Sequence, residues 1–146
     1  MPRKAVKKRA ARTVLLAEQD VIIRLGLATY LRTCGWAVLE AATAEEARAI
    51  LVAGPAISVL ISDAELAGGE TGFALATWVR RHRPGVRVIL AAALATKTEA
   101  VSGLCDRDDE GVLRARIRAM FAERTRRMRK PTATQTRAPR RRLQGP

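Results

Sequence analysis

Apolar residues along this chain change rhythm several times, from continuous runs to helical spacing and back. Thr13 to Ala17 is a short continuous run and predicts a first strand. Glu18-Gln19-Asp20 ends it. Ile23, Leu27, Leu31 and Cys34 then recur at helical spacing, with Gly35 where a C-terminal cap belongs. Trp36 to Leu39 predicts a second strand. Thr43 and Glu46 have the spacing of a capping box, and Ala47, Ile50 and Leu51 supply the apolar stripe behind it. Gly54-Pro55 stops that helix. Ile57 to Ser62, rich in β-branched residues, predicts a buried third strand. Ala74, Leu75, Trp78 and Val79 mark a third helix, closed by Arg83-Pro84-Gly85. Val86 to Ala92 is a fourth strand. Leu113, Ile117, Met120 and Phe121 mark a last helix, interleaved with Arg114, Arg116 and Arg118.

Strands alternating with helices predict an α/β fold, a parallel sheet covered on both faces. Right-handed crossovers bring the C-terminal ends of all strands to one edge. In such sheets ligands bind at that edge, where strand order reverses. The first and third strands end there in Glu18-Gln19-Asp20 and in Asp63. An ionised Asp at the exit of a core strand has two readings. It caps the following turn, or it is a working carboxylate at the mouth of the sheet.

Composition narrows the class. Apolar residues make up 48% of the 146 and aromatics 3%, so aliphatic side chains must fill the core. Cys34 and Cys105 have no metal-ligand spacing and read as small core residues of a reduced, cytoplasmic chain. No apolar run is long enough to span a membrane. The net charge of +13 is uneven: Met1 to Arg12 sums to +6, Thr13 to Met120 to −1, and Phe121 to Pro146 to +8. The expected organisation is a basic disordered tail over 1–12, a domain over 13–127, and a second basic disordered tail over 128–146. Such tails suit polyanions. His82, the only histidine, sits in Arg80-Arg81-His82-Arg83 at a helix end, where a cation favours the helix dipole.

The pieces Val14-Leu15-Leu16-Ala17-Glu18-Gln19-Asp20, Val59-Leu60-Ile61-Ser62-Asp63-Ala64-Glu65 and the segment from Thr71 to Leu90 resemble, in order and spacing, the receiver domain of bacterial two-component response regulators. The resemblance runs from about Thr13 to Phe121. It implies a doubly wound, flavodoxin-like fold with a five-stranded parallel sheet and helices on both faces. It implies a signalling module rather than an enzyme, in which a sensor histidine kinase or phosphotransfer protein passes a phosphoryl group from phosphohistidine to one Asp. Asp63 holds that position. The expected Mg²⁺ contacts are Glu18, Asp63 and the Glu65 backbone carbonyl, with Gln19 and Asp20 as further candidates. Such an ion would neutralise charge on the transferred group.

Three positions depart from the family pattern. Gln19 stands where the family has a second carboxylate, which weakens Mg²⁺. Ala92 stands where a Ser or Thr hydroxyl is usual. Asp106 aligns with the family's Lys after strand five, and Arg107 beside it is a substitute cation. Opposite charge at such a place costs several kcal/mol at contact distance with an effective dielectric of about 20. Only 13 residues separate Ala92 from Asp106. A parallel crossover needs about a dozen or more. Either the fourth helix shrinks, to roughly Thr98–Ser102, or the fifth strand is nearly absent. Two further function classes follow: a phosphorylation-independent pseudo-receiver that binds a protein partner, and a small basic nucleic-acid-associated protein. The segment after Met120 is too short for a DNA-binding output domain.

Overall fold

The structure, a computed structural model, describes residues 12–129. The chain order is β1 (Thr13–Ala17), α1 (Val21–Thr33), β2 (Ala37–Ala41), α2 (Ala44–Val52), β3 (Val59–Asp63), α3 (Gly72–His82), β4 (Arg87–Ala91), α4 (Leu94–Leu104) and α5 (Glu110–Arg129). All strand pairs are parallel, in the order β2-β1-β3-β4. The α/β reading holds. The sheet has four strands among the described residues, against the five expected.

Local signals explain the boundaries. The Asp20 carboxylate accepts from the backbone N–H groups of Ile22 and Ile23 and opens α1. Gly35 closes it in the left-handed region, at φ 94°. Thr43 Oγ1 accepts from the Glu46 N–H, and the Glu46 carboxylate reaches back to the Ala42 N–H, one residue before the cap, so the expected box forms shifted by one donor.

Alternation along β1 sorts the core into two layers. Val14 and Leu16 join Val59 and Ile61 beneath α1, α4 and α5, through Leu27, Leu31, Val101, Leu113 and Ile117. Leu15, Ala17 and Leu60 face the other way, onto Ala44, Ala47, Leu51, Leu75 and Val79 of α2 and α3. Gly26 lets α1 and α5 meet: a Cβ there would lie 2.6 Å from Ile117 Cγ1.

Of the two alternatives expected after β4, the structure takes the second: among the described residues no fifth strand forms. The fourth helix is not shortened. It runs 11 residues, from Leu94 to Leu104. It consumes almost the whole interval, so the chain turns through Cys105–Asp109 directly into α5. With no fifth strand to return to, α4 packs beside α1 and α5 and stays close to the end of β4. The cysteines are corrected. Cys34, the C-cap of α1, and Cys105, the C-cap of α4, form a disulfide with a Cα–Cα distance of 5.5 Å. The expected thiols are absent because the α1–α4 packing brings two helix ends together. Finally, α5 runs past residue 127 to Arg129. The expected tail over 1–12 lies outside the described residues except for Arg12, as does that over 128–146 beyond Arg129.

Candidate functional site

β1 and β3 are the central neighbours, with Ala17 opposite Ser62. Glu18, one residue past β1, therefore stands beside Asp63, the last residue of β3. This is where strand order reverses. Both side chains are buried, 2% and 8% exposed.

Two carboxylates this close repel unless a cation joins them. Here the cation is Lys97. Its Nζ donates to Glu18 Oε2 at 2.8 Å and to Asp63 Oδ2 at 3.0 Å, and the lysine is itself only 4% exposed. The remaining carboxylate oxygens are held by the main chain. Glu18 Oε1 accepts from the Asp20 N–H at 3.2 Å, and Asp63 Oδ1 from the Glu65 N–H at 3.0 Å. Each acid thus has one oxygen on the ammonium and one on a backbone amide.

The electrostatics follow from burial and pairing. Burial pushes the Glu18 carboxyl above its usual value, and the nearby Lys97 only partly offsets this. For Lys97, burial acts to lower the pKa. Hydrogen bonds and attraction from Glu18 and Asp63 outweigh it, so the ammonium titrates above its usual value.

α3 completes the Asp63 side. Gly72 opens this helix, and its N–H donates to the Ala64 carbonyl at 3.0 Å. A Cβ at Gly72 would lie 1.8 Å from the Asp63 carbonyl oxygen. Only glycine permits this approach.

The structure separates the remaining predicted residues. Asp20 is occupied in capping α1. Gln19 is exposed, and so is the Glu65 side chain. Ala92 is exposed and brings no hydroxyl. Asp106 is exposed, with a positive φ of 50°. Arg107 is not the substitute cation: it pairs with Asp109 at 3.0 Å and lies over the Tyr30 ring. Tyr30 in turn donates to Asp109. The segment that would lead out of a fifth strand is therefore engaged with α1.

Glu18 and Asp63 share one ammonium, Asp20 is committed to α1, and Gln19 carries no charge. Among the described residues no three His, Cys, Asp or Glu side chains gather as a metal site. The donor set as arranged does not fit a divalent ion.

Sequence reasoning missed Lys97. Its signal was present: Leu94, Lys97, Thr98 and Val101 recur at helical spacing, so Lys97 falls on the stripe that α4 buries. A lysine on a buried stripe needs acidic partners.

The response regulator receiver domain model matches residues 14–114. The chain belongs to this family. Among solved structures, a response regulator receiver protein from Sinorhizobium medicae WSM419 is 26% identical, with a TM-score of 0.54 over 60% of this chain and 73% of that one. The MaeR response regulator bound to beryllium trifluoride is 27% identical, with a TM-score of 0.50 over 56% and 67%. A signal receiver domain of an HD domain-containing protein from Pseudomonas fluorescens Pf-5 covers 86% of this chain and 98% of its own, at 20% identity and a TM-score of 0.56. That likeness speaks to the fold alone. No curated protein sequence matches the chain. No described helix of this receiver is long and apolar enough to cross a membrane.

Proposed function

We propose that this receiver serves a two-component phosphorelay, with Asp63 as its phosphoacceptor and a histidine kinase or phosphotransfer protein as donor. The observation that supports this most directly is the seat of Asp63. It lies at the strand-order reversal, with one carboxylate oxygen held by the Glu65 amide and the other by Lys97. Transfer forms a bond from Asp63 Oδ2 to phosphorus and breaks the donor's P–N bond, and the departing imidazole nitrogen takes up a proton. The protein's part is positioning and charge stabilisation. An ammonium has three donors, and two of Lys97's go to the carboxylates. The third is suited to a phosphoryl oxygen. We place the protein in the cytoplasm with its donor. In that compartment Cys34 and Cys105 are held as thiols, and the bond between them closes when conditions turn oxidising.

A second reading, a phosphorylation-independent partner-binding receiver, is favoured by Ala92, which offers no hydroxyl to turn toward a phosphoryl group. Labelling with acetyl phosphate, followed by intact mass, decides between them. The first reading expects a single phosphoryl adduct on the native protein and none on Asp63→Ala. An unlabelled native chain leaves the second.

A further inference from the structure

We propose that Lys97 is the resident cation of the Glu18–Asp63 site, standing where a divalent ion would otherwise sit, so that the resting receiver binds no Mg²⁺ there. This concerns the same site as the proposed phosphoacceptor but rests on the Lys97 contacts alone.

The first ground is occupancy. Nζ lies within 3.0 Å of both carboxylates, and the opposite oxygen of each is held by a backbone amide. The second ground is charge. An ammonium and a divalent ion together would outweigh the two carboxylates in a buried pocket, and the two cations would repel at close range. An entering ion must therefore expel Lys97. Mg²⁺ also dehydrates reluctantly and prefers charged oxygen ligands in near-octahedral array. Gln19 offers none of that charge, and Asp20 is already used.

The third ground is the anchoring of the helix that carries the lysine. Val101, on the next turn of α4, is fully buried against α1 and α5. Thr98 Oγ1 hydrogen-bonds to Glu110 at 3.3 Å. At the far end of α4 the Leu104 carbonyl accepts from Trp36 Nε1 at 3.2 Å. With the helix fixed, withdrawing the ammonium gives up both carboxylate contacts and leaves two buried acids without a cation, which is costly. That no fifth strand forms among the described residues makes the arrangement achievable. Because α4 starts three residues after β4, its first turns lie at the mouth of the sheet.

The test is a calorimetric titration of the full chain with MgCl₂, in parallel with melts at increasing MgCl₂. The native protein should give no saturable one-to-one binding at millimolar Mg²⁺, and its melting temperature should not rise. Lys97→Met leaves two carboxylates without a cation. It should gain one-to-one binding at least about tenfold tighter than native, with a melt that rises with Mg²⁺. Saturable one-to-one binding to the native protein that disappears in Asp63→Asn overturns the proposal. So does a Lys97→Met variant that folds but binds no better than native. If Lys97→Met does not fold, the native and Asp63→Asn titrations decide by themselves. Acetyl phosphate labelling is read separately: its failure removes the acceptor reading and leaves this one standing.

Discussion

Gly72 and Glu18 show how narrowly this site is specified residue by residue. The helix after Asp63 can start where it does only because residue 72 has no Cβ. Gly72→Ala must push α3 or the end of β3 aside, and should cost about 3 kcal/mol, the upper range for overpacking. Gly69→Ala meets nothing within 4 Å and should stay within about 0.5 kcal/mol. Urea midpoints of the two variants test the contrast, and equal midpoints would refute the close approach. Glu18 sets a pH dependence. Its folded pKa is raised above the usual 4.5, so the folded state holds the proton more tightly than the unfolded chain. That contribution to stability is complete below 4.5 and is lost as pH rises through the raised value. Lys97 acts in the same sense in alkali. Its contribution is complete below the usual 10.5 and is lost as pH rises through its raised value. Urea melts of native protein and Glu18→Gln from pH 4 upward, read over the interval above the usual glutamate value, should show the decline in native protein and its loss in the variant. Parallel profiles would count against a shifted Glu18.

Among the elements, α4 differs most from the expectation. Of the two alternatives, a shortened helix or a nearly absent fifth strand, the second holds, and a full-length helix fills the interval. The consequence is a lysine supplied from β4's own side of the sheet. The disulfide joins the ends of α1 and α4 across 71 residues of sequence. By the loop-entropy argument a bridge of this span stabilises by about 4 kcal/mol. Reduction should therefore lower the melting temperature of the native protein but leave that of Cys34→Ser/Cys105→Ser unchanged. Two titratable thiols in the protein before reduction would show that the bridge does not form.

At the scale of the whole molecule the charge is lopsided. A near-neutral receiver carries net +13 in total. α5 continues this bias, with Arg124, Arg126, Arg127 and Arg129 on a stretch from Ala122 that is exposed throughout. The basic tails lie largely outside the described residues, so their partner is a proposal. Binding of random-sequence DNA should weaken with salt, with a slope of about −0.9 per phosphate neutralised. Removing residues 1–11 and 130–146 should flatten that slope. A truncated protein that binds with unchanged slope would move the interaction to α5 or exclude the tails altogether.

Much of this was written locally in the chain. β1 ends where its apolar run ends, Asp20 and Thr43 cap the helices they precede, and Gly35 closes α1, because each depends on neighbours a few residues away. The parallel sheet follows from the alternation of elements, and the meeting of Glu18 with Asp63 follows from the handedness of their crossovers. The partner of those two acids did not follow. Lys97 reaches them because α4 has no fifth strand to serve, and Cys34 finds Cys105 because the same helix then lies against α1. Both contacts join residues dozens of positions apart and depend on where one helix packs. Only the assembled core decides that.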